Sequence, residues 1–159
     1  MENFFDRPMK QARLTVAAES WKGTRFVKGA AIKGGGVDCI HLAAEIYKEC
    51  GLFNSYEFPR YTLDGGRHLK TSLVMGWLAQ SKCFEEITNC ELGITNCVKA
   101  GDLLCFKLSA VEHHVGVMLL GGQFVHAWMR RGVLFSLISD ASYLRILTHI
   151  FRPIQPKVI

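Results

Sequence analysis

The sequence predicts an α+β domain in which helices come first and an antiparallel meander sheet follows. Three observations carry this. Apolar residues recur at helical spacing through the first third, and short β-branched and apolar runs fill the last third. Fifteen glycines against four prolines supply the tight turns that a sheet needs. At 159 residues the chain is sized for one domain, 1–159, and nearly half of it is apolar, so a core can form without covalent staples.

Asp6 followed by Pro8 marks a helix start, because proline's fixed φ suits the first helical turn. Met9, Ala12, Val16, Ala17 and Trp21 then form an apolar stripe, and Gly23 ends the helix. The loop after it holds Gly29, Gly34, Gly35 and Gly36; it lacks the Gly-Lys-Ser/Thr ending of a phosphate loop and reads as flexible backbone. Asp38 is placed as N-cap of a second helix from Cys39 to Cys50, with Ile40, Ala43, Ala44, Ile46 and Tyr47 on its apolar face and Gly51 as its C′ residue. Pro59, Gly65 and Gly66 lie in a loop before a weaker helix carrying Leu69, Leu73 and Trp77. Strands are expected over Leu103–Phe106, Val115–Leu120, Gln123–Trp128, Val133–Leu137 and Leu144–Phe151, punctuated by Gly-Gly, Arg-Gly and Ser-Asp.

The net charge is +5 and the pI near 9.0, which attracts polyanions at low salt. No run of like charges is long enough for a nucleic-acid arm, and no apolar run reaches the ~18 residues of a membrane span. Neither nucleic acid nor membrane is therefore expected as a partner. Met1–Leu14 has no apolar stretch of ~7–15 residues to act as an export signal. This predicts synthesis in a reducing cytoplasm, with the six cysteines as thiols. Ile87-Thr88-Asn89-Cys90 recurs as Ile94-Thr95-Asn96-Cys97, and Cys83, Cys90 and Cys97 stand seven residues apart. Structural zinc ligands pair about two to four residues apart, so no metal is expected there, and the segment reads as a loop insertion.

A nucleophilic thiol needs a base within reach and donors for the oxyanion it creates. Cys39 stands in the first turn of a helix, where unpaired N–H groups and the dipole favour a thiolate. A buried apolar role is the competing reading of such a cysteine. Cys50, at a helix end, and Cys105, within a strand, read as core. His113 and His114 are neighbours on a strand, so they point to opposite faces and one of them meets the helix. His126 stands on the next strand, and the turn at Gly121-Gly122 decides whether it helps. A two-residue loop puts His114 and His126 on opposite faces. A three-residue loop, Leu120-Gly121-Gly122, pairs Leu119 with Gln123 and Gly116 with His126. The two histidines then become diagonal neighbours roughly 7–8 Å apart at the backbone, with no side chain at Gly116 between them. Trp128-Met129-Arg130-Arg131, beside His126, either lines a substrate cleft or ends a strand.

Gly36-Val37-Asp38-Cys39-Ile40-His41-Leu42 resembles the nucleophile motif of the NlpC/P60 cell-wall peptidases, in which Asp-Cys opens the helix. Gly101-Asp102-Leu103-Leu104-Cys105-Phe106 resembles their Gly-Asp-Leu strand. His114-Val115-Gly116-Val117 is similar to the strand of the basic histidine, and Phe124-Val125-His126-Ala127 to that of the third polar residue. Trp21-Lys22-Gly23-Thr24-Arg25-Phe26 resembles the family's Gly-x-Pro-Tyr segment, especially in phage-tail members, and Phe151-Arg152-Pro153 fits the end of the pattern. Ile40 stands where the family has serine, His41 where it has glycine, and Arg25-Phe26 where it has Pro-Tyr.

The resemblance implies a papain-like fold and cleavage of an amide bond in peptidoglycan stem peptides, typically after γ-D-glutamate, without a cofactor. It implies Cys39 thiolate as nucleophile paired with a His114 imidazolium, and His126 orienting that ring. Asp38, Ile40, Phe26 and Trp128 are then the substrate-side candidates. Phage-tail-like proteins are candidate partners, with the protein carried on a virion or delivered to the wall. Three rivals stand beside this reading: a zinc site of Cys39, His114 and His126, a non-catalytic particle component, and acyl transfer on the same scaffold.

Overall fold

The structure is a computed structural model that describes residues 2–58, 73–109 and 112–155. Helix α1 is Pro8–Glu19, with Pro8 in its first turn and Arg7 as an N-cap that offers no side-chain bond. Its buried residues are Leu14, Ala17 and Ala18, continued by Trp21. This i, i+3, i+4, i+7 row meets the core beside Phe4 and Phe5. The expected stripe is therefore corrected in part. Ala17 and Trp21 are inside, whereas Met9 and Val16 are 84% and 69% exposed and Ala12 faces outward too. Phe4 and Phe5, which precede the helix, take the core space that the first turn would have filled.

The glycine-rich loop is not loose backbone. It forms a small hairpin, β1 (Ala31–Ile32) and β2 (Gly36–Val37), with Ala31 opposite Val37. It is tied to the preceding segment by Arg25 Nε donating to the Gly35 carbonyl and by Val37 N–H donating to the Arg25 carbonyl, at 2.9 and 3.0 Å.

Helix α2 is Cys39–Glu49, capped by Asp38, whose Oδ1 accepts the His41 N–H at 2.9 Å. Its C-terminus is a Schellman turn. Gly51, at φ 82°, donates to the Lys48 carbonyl and Leu52 donates to the Tyr47 carbonyl. Helix α3, Leu73–Gln80, includes the expected Leu73 and Trp77, while Leu69 and the Pro59, Gly65, Gly66 loop lie outside the described residues. Next come β3 (Phe84–Glu86), which the sequence reading missed, and the short helix α4 (Ile94–Cys97).

The C-terminal third supplies β4 (Leu103–Lys107), β5 (Glu112–Met118), β6 (Gln123–Trp128), β7 (Gly132–Leu137), helix α5 (Ala141–Ile146) and β8 (Leu147–Pro153). The six strands β3 to β8 form one antiparallel sheet in the order β3-β8-β4-β5-β6-β7. Two corrections follow. Residues 141–146 are helical because Asp140 caps them, its Oδ1 accepting from the Ser142 N–H and hydroxyl. The meander holds from β4 to β7, but β8 returns across the sheet to lie between β3 and β4.

Each sheet face has its own apolar layer. Helices α1 and α2 pack on Leu103, Cys105, Val115, Val117, Val125, Ala127 and Phe151. The opposite face carries Leu104, Phe106, Met118, Phe124 and Ile150 under Tyr143 and Leu144 of α5. Buried between sheet and loop, Asp102 is gripped by Arg152, Nε to Oδ1 at 3.0 Å and Nη2 to Oδ2 at 2.8 Å. The expectation of thiols throughout is corrected at one place. Cys90 and Cys97 form a disulfide, because α4 folds the repeat back until their Cα atoms are 5.5 Å apart.

Candidate active site

Alternation along β5 and β6 decides which groups can meet. The Leu119 N–H donates to the Gln123 carbonyl at 2.7 Å, and Val117 and Met118 lie opposite Val125 and Phe124. This is the three-residue register, closed by Gly121 and Gly122 at φ 72° and 76°. It puts His114, Gly116, Phe124, His126 and Trp128 on the face away from α2. His114 and His126 are 4% and 0% exposed, and His114 Nε2 is 2.8 Å from His126 Nδ1. Gly116 is the empty place that allows this. A Cβ there would stand 2.8 Å from the Phe124 ring and 3.4 Å from the His126 Cβ. Side-chain placement of His113 lies outside what the structure describes.

Aromatic rings enclose the pair. His114 has Phe106 and Trp128 at centroid distances of 5.6 and 4.8 Å, and His126 has Phe124 and Tyr143 at 4.7 and 5.4 Å. The other nitrogen of His126, Nε2, is 2.9 Å from Ser136 Oγ, and that hydroxyl bonds Tyr143 at 3.3 Å. The sequence reading missed both residues. A signal existed for Ser136, a polar residue amid the apolar run Val133–Leu137; Tyr143 had none, standing between the Ser-Asp turn and the run Leu144–Phe151 that read as a strand.

Cys39 is on the opposite layer, at the mouth of α2. In an unbroken ladder the Val115 N–H would pair with the Ala127 carbonyl. The β5–β6 ladder stops at Val117 and Val125, so the strands part there. The freed Val115 amide, next in chain to His114, turns to the Cys39 sulfur, as do the amides of Cys39 and Ile40.

Burial dominates the electrostatics. It pushes the Cys39 thiol up to about 12, with the Asp38 charge adding to the rise, and the three amides only offset part of it. Burial holds His114 down to about 3, helped by the neighbouring His126, and holds His126 down to about 4. Both shifts favour the uncharged thiol and the uncharged rings, although Cys39 itself is only partly buried. Desolvation thus works against the thiolate–imidazolium pair expected at the helix mouth, and the helix-terminus amides work for it.

Asp38 is 1% exposed and accepts from the Gly29 N–H at 2.7 Å as well as from the N–H and Nδ1 of His41. Those bonds hold its carboxyl below the usual range even though burial opposes this. It thus builds the helix mouth from inside. Ile40 is 8% exposed and lines a narrow apolar cleft with Val115, Phe58 and Trp77. Phe26 is half-buried with its backbone bridged to Val37, and Trp128 is half-buried with its ring on His114. Among the described residues no group of three His, Cys, Asp or Glu is arranged to hold a metal ion.

A model of the NlpC/P60 family matches residues 21–152. Murein DD-endopeptidase MepS/Murein LD-carboxypeptidase of Escherichia coli strain K12 is 26% identical over 140 residues, 87% of this chain and 61% of that protein. The chain thus spans about three fifths of that relative's length. Two solved structures share the fold. A lipoprotein-like NLP/P60 protein from Staphylococcus aureus has a TM-score of 0.62 at 20% identity, covering 97% of this chain and 44% of its own. RipD from Mycobacterium tuberculosis, described as a non-catalytic NlpC/P60 domain protein adapted to peptidoglycan binding, has a TM-score of 0.52 at 14% identity, covering 91% and 97%. On the family match across most of its length, this chain belongs to the NlpC/P60 family.

Proposed function

We propose that this chain hydrolyses an amide bond in bacterial peptidoglycan stem peptides, with Cys39 as nucleophile, His114 as its base and His126 orienting that base. The observation that carries the reading is the 2.8 Å bond between two buried histidines, set beside the strand amide that the Cys39 sulfur engages. The murein peptidase activity named for the Escherichia coli relative supports the choice of substrate.

Burial favours the uncharged sulfur and rings, so in this mechanism attack and proton transfer are coupled. Cys39 Sγ gives its proton to His114 as it bonds the carbonyl carbon, and helix-mouth N–H groups receive the oxyanion. Protonated His114 then gives that proton to the departing amine, leaving a thioester on Cys39. Water, deprotonated by His114, adds to the thioester, and the thiol takes the proton back as the acid leaves. The γ-D-glutamyl bond is the proposed scissile position. Delivery by a phage-tail-like particle belongs to the same proposal, and co-purification with such particles tests it.

The test is digestion of purified sacculi followed by mass spectrometry of released muropeptides, with Cys39→Ala beside the native chain. New cleavage products that vanish in the variant are the expected result. Products that persist in the variant overturn the assignment of Cys39. A native chain that binds sacculi and releases nothing supports the alternative role described for RipD, peptidoglycan binding without catalysis.

A further inference from the structure

We infer that Ser136 and Tyr143 are positioning residues that fix which nitrogen of His114 carries its proton. The inference rests on the base role proposed for His114. The hydrogen bonds run in one line: His114 Nε2 to His126 Nδ1 at 2.8 Å, His126 Nε2 to Ser136 Oγ at 2.9 Å, and Ser136 Oγ to the Tyr143 hydroxyl at 3.3 Å.

Each neutral imidazole has one N–H and one bare nitrogen, and each hydroxyl has a single proton to give. Ser136 gives its proton to the Tyr143 oxygen, so it receives the Nε2–H of His126. His126 Nδ1 is then bare and receives the Nε2–H of His114. This leaves His114 Nδ1 bare, which is what a base requires. The opposite assignment would have Ser136 donating to His126 Nε2 and His126 Nδ1–H donating to His114 Nε2. His114 would then carry its proton on Nδ1 and could take none there. Two hydroxyls on β7 and α5 thus choose between an active and an inactive base.

The pocket admits few other influences. His126 is 0% exposed, and among the described residues the aromatic rings packed on the two histidines are those of Phe106, Phe124, Trp128 and Tyr143. Within that aromatic surround the terminal hydroxyl is the element that breaks the symmetry. Ser136 is placed for it by register. Phe124 lies opposite Ser136 and His126 opposite Leu134, so Ser136 is the diagonal neighbour of His126 on the histidine face.

The experiment has two arms. Nitrogen-15 spectra of the imidazoles, taken in the Cys39→Ala protein, report tautomers whether or not the chain is a hydrolase. A bare Nδ1 on both rings is expected, with Tyr143→Phe and Ser136→Ala moving His114 towards Nδ1–H and Ser136→Thr restoring the native pattern. In the second arm, muropeptide cleavage by the Cys39-containing chain falls about tenfold in kcat in Tyr143→Phe and Ser136→Ala, with KM within about twofold, and recovers in Ser136→Thr. A His114 bearing Nδ1–H in the parent protein overturns the inference, as do spectra unchanged by both variants. Native spectra that respond as described, in a chain that cleaves nothing, uphold the tautomer assignment and overturn the hydrolase reading instead.

Discussion

Lowering the pH from about 7 to about 5 will destabilise this fold through His114 and His126, by an amount that follows from their burial. Both rings sit below their ordinary 6.5, at about 3 and about 4, because the folded state cannot solvate an imidazolium among the surrounding aromatic rings. In the unfolded chain each ring takes up a proton once the pH drops below about 6.5. The unfolded state then binds more protons than the folded one, so stability is present above 6.5 and declines as the pH falls. At pH 5 the gap is about 1.5 units, worth about 2 kcal/mol for one ring at ~1.36 kcal/mol per unit. The two rings share a hydrogen bond, so the pair contributes about 2–4 kcal/mol, a large part of the roughly 5–15 kcal/mol that holds a domain together. Equilibrium urea unfolding at the two pH values measures it. With a slope near 2 kcal/mol/M, the midpoint should fall by about 1–2 M. A His114→Gln, His126→Gln double variant should show little of this fall. Equal midpoints at the two pH values in the native chain, or the same fall in the double variant, would refute the reasoning.

Gly116→Val puts carbon where the Phe124 ring and His126 Cβ leave no space. It should cost about 1–3 kcal/mol by thermal unfolding and remove most muropeptide cleavage, whereas native-like activity would show that the close diagonal contact is dispensable. Arg152→Met strips the partner from a carboxylate that is 0% exposed, and a loss of about 3–5 kcal/mol is expected. A loss below about 1 kcal/mol would mean that Asp102 simply takes a proton. The ultraviolet difference between the native chain and Cys39→Ser should show no thiolate band between about pH 6 and 9, because burial pushes the thiol up to about 12. A full band at pH 7 would restore the ion-pair picture of the site.

Much of the helix-mouth geometry was legible because the determinants are local. Asp38 before Cys39 and Gly51 after Cys50 are cap residues with one mechanism each, and α2 begins and ends where they say. The β5–β6 register was legible as a choice between two loops, and the glycines at 121 and 122 make the three-residue one possible. What sequence could not give depends on distant partners. Met9 and Val16 fit a helical stripe, but Phe4 and Phe5 fill the core beside α1 and leave them outside. β8 passes between β3 and β4 because Leu103 and Phe151 pair across more than forty residues, a contact that no local pattern announces. The desolvation around Cys39 was not legible either, since a helix terminus is visible in a string of letters and the packing around the sulfur is not. Cys90 and Cys97 read as a duplicated loop until α4 turned one towards the other.

The covalent intermediate is the most direct test of the hydrolase proposal. Incubating the chain with a muropeptide, quenching in acid and digesting for mass spectrometry should find the acyl half of the peptide on the fragment containing Cys39. Hydroxylamine should remove that adduct, and it should be missing in His114→Ala. Continued turnover with Cys39 unmodified, or an acyl group carried on a different residue, would contradict the proposal.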